Sequence, residues 1–278
     1  MKQTDIQVGS DHSITAQVYE ADHDAVLIIA SATGVKQGFY KKFASFISSH
    51  GITVVTFDYS GIGLSKKQPL RRMKTNASDW GQMDLDAVIR FAKVKYPTSK
   101  ITLLGHSIGG QLIGLAKSSL VVQKIVLVSA QSGYWKFWKG GDKLKMWFNW
   151  HALFPILIQT FGYLPSKRMS GMEDLPQGVA RQWSRWSRKP NYLFDDMLAD
   201  EVYFHQISVN LTAISIERDF YAPKEAVDWL TGKYENAAVK KLHLMADKYG
   251  TSKIGHFGIF RDKFENSLWT LLLIEMER

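Results

Sequence analysis

The sequence predicts an α/β protein in which helices cover both faces of a mostly parallel central sheet, with a helical segment inserted late in the chain. Three observations carry this reading. Apolar, strand-like runs alternate with amphipathic, helix-like stretches from residue 25 to 129 and again from 212 onward. The runs at 52–57 and 101–104 are apolar without alternation, as strands are when both their faces are buried. Between residues 134 and 203 the strand pattern stops and aromatic residues concentrate.

Two short strand-like runs, 6–8 and 14–19, open the chain. A strand at 25–30, a helix at 39–48 ended by Gly51 and a strand at 52–57 follow. Next come a helix at 79–96 closed by Pro97, a strand at 101–104, a helix at 108–119 and a strand at 124–129. Trp135, Phe137, Trp138, Trp147, Phe148, Trp150, Phe154, Phe161, Trp183 and Trp186 mark the insertion. The α/β pattern resumes with a strand at 212–216, a helix at 224–231 after Pro223, a strand at 239–245 and a closing helix at 260–276. Residues 1–132 and 204–278 thus form a catalytic core, and 133–203 a helical cap. No internal repeat or low-complexity linker interrupts them.

At 278 residues and 45% hydrophobic, the chain can bury one large core. The absence of cysteine excludes disulfides, a thiolate nucleophile and Cys-based metal sites, so covalent catalysis must use oxygen or nitrogen. Residues 1–5 lack the basic-then-apolar order of a secretory signal, and the apolar stretch at 152–164 is too short to span a bilayer. A cytoplasmic protein is expected. Of the net charge of +9, an excess of +7 lies within 133–194, where ten Lys or Arg face three acidic residues. That excess suits weak association with anionic lipid or an acyl carrier, and serves equally as a solubilising face; nucleic acid is not an expected partner.

The segment Gly105-His106-Ser107-Ile108-Gly109 fits Gly-x-Ser-x-Gly and falls between a predicted strand and a predicted helix, the context of a nucleophile elbow. The turn is sharp, so glycines two residues either side of the serine avoid collision, and the Ile108 N–H is offered to a developing oxyanion. A Ser-acid-His order places the acid and the histidine on later loops. His256, in Gly255-His256-Phe257-Gly258, is the expected base, whereas His243 sits inside a strand-like alternation. His12, His23, His50, His106, His151 and His205 precede the acid, and none has metal-ligand spacing. Asp219, beyond the strand 212–216 and before Pro223, is the favoured acid, with Glu217 the alternative. The loop Ser31-Ala32-Thr33-Gly34 should supply the second oxyanion donor, taken as Thr33.

The stretch from Phe57 to Ser65 is glycine-rich, but Lys66 replaces the third glycine of a dinucleotide fingerprint and no helix starts there. Asp58 reads instead as a turn residue tying that loop, and Asp84 and Asp86 as a solvated helix face.

Through Phe57-Asp58-Tyr59-Ser60-Gly61-Ile62-Gly63-Leu64-Ser65, Gly105-His106-Ser107-Ile108-Gly109-Gly110, Asp219 and Gly255-His256-Phe257, the sequence resembles the α/β-hydrolase superfamily over nearly its whole length. More narrowly it is similar to a group of bacterial predicted α/β-hydrolases, through Ala32-Thr33-Gly34-Val35, Phe39-Tyr40 and Glu173-Asp174-Leu175-Pro176-Gln177-Gly178-Val179 with Trp183, Trp186 and Pro190. The resemblance implies the fold and the triad. Ser60 departs from it, standing where many members carry Arg. Ester hydrolysis by Ser107, His256 and Asp219 on a small acyl substrate is the expected function, with no metal or organic cofactor required. Acyl transfer by the same triad and a catalytically silent binding protein are the alternatives.

Overall fold

The computed structural model describes residues 1–10, 12–22 and 24–277; His23 lies outside the described residues. The strands in chain order are β1 (Lys2–Val8), β2 (His12–Tyr19), β3 (Ala25–Ala30), β4 (Thr53–Phe57), β5 (Lys100–His106), β6 (Lys124–Val128), β7 (Tyr163–Leu164), β8 (Leu175–Pro176), β9 (Asn210–Ile216) and β10 (Ala238–Leu244). Eight of them form one sheet in the order β1-β2-β4-β3-β5-β6-β9-β10. The β1/β2 and β2/β4 pairs are antiparallel, and every pair from β4 to β10 is parallel.

Burial follows position in the sheet. All five residues of β4 and of β6 are buried, whereas β1 alternates and β10 keeps Lys240 and Lys241 outward, which discourages edge-to-edge pairing. One apolar cluster packs the sheet against the helices Asp86–Lys95 and Ile108–Ile113. A second packs the opposite face against Lys41–Ser49 and Thr270–Glu277. Each fully buried Val, Leu or Ile contributes about 1.5–3 kcal/mol, so these two layers dominate the favourable side of folding.

Several elements differ from their expected extent, β1 for instance beginning at Lys2 rather than residue 6. The helix after Ser107 stops at Ile113 rather than 119, and a separate 3₁₀ turn covers Lys117–Val121; Gly114 between them lies against Phe204, where a Cβ would come 2.2 Å from the ring. The final helix runs only from Thr270 to Glu277, after short turns tied by the Trp269 indole donating to the Ile259 carbonyl at 2.9 Å. The region 133–203 carries several short helices and also the ribbon β7/β8. Among the described residues, no helix is long and apolar enough to cross a membrane.

Candidate active site

Ser107 sits between the end of β5 and the helix Ile108–Ile113, with φ 54° and ψ −119°, a strained conformation for a residue with a side chain. The neighbouring glycines make that turn possible. A Cβ on Gly105 would lie 2.4 Å from Gly110 Cα, one on Gly109 2.1 Å from the Ala30 carbonyl oxygen, and one on Gly110 2.4 Å from Ala130 Cβ. Other positive φ values cluster nearby, at Ser129 just beyond β6 and Arg218 just beyond β9. Strain is therefore concentrated at the carboxyl ends of β5, β6 and β9, where α/β proteins carry their ligands.

Those strained turns bring the other side chains together. His256 Nδ1 donates to Asp219 Oδ2 at 2.8 Å, with both side chains almost completely buried. A carboxylate partner fixes the proton on Nδ1 and leaves Nε2 to accept one. Asp219 is itself held: its Oδ2 accepts from Ser129 Oγ at 2.8 Å and its Oδ1 from the Tyr221 N–H at 3.0 Å. Glu217 turns away, accepting from the Ala246 N–H at 3.1 Å and pairing with Arg218. His243 is bonded to Ser215 Oγ on the neighbouring strand.

A second relay, which the sequence reading left among ordinary histidines, runs beneath the first. The Ala32 N–H donates to Tyr40 Oη at 3.1 Å, Tyr40 Oη donates to His106 Nδ1 at 2.8 Å, and His106 Nε2 donates to the His256 carbonyl at 3.0 Å. The directions are forced, since a carbonyl can only accept. Burial holds the His106 pKa well below the ordinary imidazole value, aided by the nearby His256. His106 is therefore neutral, as the relay requires.

Ser107, His256 and Thr33 line one cavity of about 320 Å³ whose roof is Trp138, Met146, Trp150, Phe154, Leu164 and Trp183. Gln131, Asn149 and Lys145 supply polarity, and among the described residues no Asp or Glu lines it. The Ala32 N–H is spent on Tyr40, so Thr33 is the next amide of that loop at the cavity. Gly34, with φ 64°, accepts from the Glu173 N–H at 2.8 Å; a Cβ there would meet the Glu173 carbonyl at 2.9 Å, so this loop and the segment at Glu173 touch through bare backbone.

Asp58 ties its glycine-rich loop, accepting from the Leu64 N–H at 2.9 Å and the Gln37 N–H at 2.7 Å. Asp84 and Asp86 correct the expectation of a solvated face. Asp84 is buried and accepts from the Ser60 N–H at 2.7 Å and Ser60 Oγ at 2.9 Å, with His12 Nε2 beside it at 3.6 Å. Asp86 accepts from the Ser118 N–H at 2.7 Å and pairs with Arg90. A π-turn at Trp80–Leu85 shifts the helical phase and carries this face inward, which apolar periodicity alone does not reveal. Among the described residues, no group of three or more His, Asp or Glu could hold a metal ion.

Sheet order and elbow define an α/β hydrolase. Residues 21–189, more than half of the chain, match the family model described as serine aminopeptidase, S33, and the chain belongs to that family. No curated protein sequence matches it significantly. Similar solved structures include an esterase from Exiguobacterium antarcticum (18% identity, 98% of each chain, TM-score 0.63). Others are an esterase from Pyrococcus furiosus (18% identity, 100% of this chain and 90% of that one, TM-score 0.64) and a bromoperoxidase from Bacillus anthracis (12% identity, 100% of each, TM-score 0.62). At these identities the likeness is one of fold.

Proposed function

We propose that the chain hydrolyses acyl esters through a covalent acyl-enzyme. Ser107 Oγ attacks the ester carbonyl while His256 Nε2 takes its proton, and the Ile108 and Thr33 N–H groups hold the oxyanion. The imidazolium returns the proton to the departing alcohol; the neutral imidazole then takes a proton from the water that attacks the acyl-enzyme, and gives it to Ser107 Oγ as the carboxylic acid leaves. Asp219 keeps the imidazole in the productive tautomer. The observation that carries this reading is the buried Asp219–His256 bond opening on the same cavity as the strained Ser107.

The lining of that cavity favours esters over peptides with a free amino terminus. An aminopeptidase holds its substrate ammonium with carboxylates, and here, among the described residues, the one lining side chain with a permanent charge is cationic, Lys145. The aromatic and Met walls suit an apolar acyl chain. A panel of chromogenic esters of rising acyl length, with an aminoacyl anilide alongside, tests the assignment. Ester turnover with fluorophosphonate labelling, both lost in Ser107→Ala and His256→Ala, supports it; turnover retained in Ser107→Ala, or preference for the anilide, overturns it.

A further inference from the structure

A second pocket, of about 580 Å³, lies on the seam between core and cap and is strongly basic. Arg71, Arg72 and Lys74 reach it from the core loop after Pro69, and Arg181 and Arg185 from the cap helix Gln177–Ser187. Arg185 is neutralised by Asp196 through bonds of 2.7 and 2.6 Å. Among the described residues the other four cations make no ion pair, and no Asp or Glu lines the pocket. Four like charges gathered in one concavity repel each other, so the arrangement is poised for an anion.

The pocket is also built. Helix and loop meet without side chains between them, since a Cβ on Gly178 would lie 2.5 Å from the Thr75 carbonyl oxygen. Arg71 is anchored by its Nε on the Phe161 carbonyl at 2.7 Å. The Gln177 amide, turned to accept, takes Arg181 Nη1 at 3.0 Å and Nη2 at 2.6 Å. These neutral acceptors order two guanidiniums without cancelling their charge, and the first turn of the helix adds its positive end. We infer that this pocket binds a phosphate-type anion, free in solution or borne on a lipid headgroup.

The same helix is a wall of both sites. Gln177, Gly178, Arg181, Gln182 and Arg185 face the basic pocket, while Trp183 lines the catalytic cavity. An anion gripped from core and cap together would fasten the roof of the acyl cavity. The site itself does not depend on the hydrolase assignment, because its test reads binding.

Inorganic pyrophosphate, followed by calorimetry, and vesicles of phosphatidate in phosphatidylcholine, followed by co-sedimentation, are compared on the full chain. Arg72→Ala/Arg181→Ala empties the pocket of two anchors; Lys136→Ala/Lys143→Ala removes the same charge from the cap outside it. Pyrophosphate binding weakened on the order of tenfold or more in the pocket variant, and kept in the control, supports a soluble phosphate. Binding to phosphatidate vesicles alone, with the same variant pattern, supports a lipid headgroup. Binding of neither, or binding unchanged in the pocket variant or lost equally in both variants, overturns the inference.

Discussion

His106, the residue immediately before Ser107, donates from Nε2 to the backbone carbonyl of His256 at 3.0 Å. Because Tyr40 joins the same imidazole to the Ala32 N–H, one buried ring links the base loop, the elbow and the loop that carries Thr33. In the proposed mechanism His106 is thereby a positioning residue for Ser107. His106→Phe keeps ring bulk but leaves the Tyr40 hydroxyl hydrogen and the His256 carbonyl without their partner, at about 1–3 kcal/mol for each buried unpaired group. We expect kcat to fall at least on the order of tenfold with KM little changed, since displacement of the base loop spoils alignment more than binding. His106→Gln, able to donate to one partner, should recover part of the loss. A His106→Phe variant that melts lower yet turns over at the wild-type rate would restrict the residue to packing.

The same imidazole makes stability depend on pH. Its folded pKa lies well below the ordinary value, through burial first and the neighbouring His256 second. Above about pH 6.5 the group is neutral whether folded or unfolded, and it has no effect. As pH falls below that, the unfolded chain takes up a proton that the folded chain refuses, so stability drops by about 1.4 kcal/mol per pH unit until the folded pKa is reached. Asp58 and Asp84, raised by burial, carry the opposite sign: they favour the folded state in acid, and that benefit is lost as pH rises through their folded pKa values. Urea midpoints between pH 7 and pH 5 should fall less steeply in His106→Gln than in wild type; parallel slopes refute the assignment.

What could be read from the sequence was what local pattern determines. Glycine spacing around Ser107 and the strand-to-helix transition are local, and so is the placement of His256 on a loop after the last strand. Choosing Asp219 over Glu217 depends on a turn with positive φ at Arg218, which residue types alone do not dictate. Ser129 escaped because its partnership with Asp219 joins residues far apart in the chain, and nothing in a strand-ending serine announces it. The basic pocket escaped for the same reason: charge counted along residues 133–194 misses Arg71, Arg72 and Lys74, which share the pocket with Arg181 and Arg185 from far earlier in the chain.

For the acid, Asp219→Asn should lower kcat on the order of 10⁴-fold, because an amide can no longer fix the His256 tautomer. Ser129→Ala, which removes one bond to the carboxylate and leaves the Tyr221 N–H in place, should cost far less, roughly tenfold. Glu217→Gln should leave kcat nearly unchanged. A loss in Glu217→Gln exceeding that in Asp219→Asn would transfer the role.

Gly109→Ala is expected to be severely destabilising for a purely steric reason. The added Cβ would meet the Ala30 carbonyl oxygen at 2.1 Å and the Ser31 carbonyl oxygen at 2.9 Å, both backbone atoms of a central strand and its exit. Relief requires moving the helix off the sheet, an overpacking cost of about 3 kcal/mol or more. Gly140→Ala is not a comparable control, since φ is +52° there. Gly38→Ala is, because its Cβ would meet nothing within 4 Å and its φ is not positive. Thermal melts should separate the two variants by many degrees, and equal melting points would show that the elbow tolerates what its geometry forbids.

The cavity roof gives the last prediction, concerning acyl length. Trp183 is half-buried and lines the cavity beside Trp150 and Phe154, its ring centroid 4.9 Å from that of Trp150. Trp183→Ala removes a large part of one wall, so esters too long for the wild-type cavity of about 320 Å³ gain room, while short esters lose contact area. The optimum of kcat/KM should shift by several methylenes toward longer chains, each buried methylene being worth about 0.8 kcal/mol. Salt distinguishes this from an electrostatic effect. With a Debye length of about 10 Å at 0.1 M, attraction of an anionic substrate by Lys145 at the cavity fades as salt rises, whereas preference among neutral esters set by apolar contact does not. A profile that keeps its optimum in Trp183→Ala, or a wild-type profile among neutral esters that changes with salt, would mean that the aromatic roof does not set chain length.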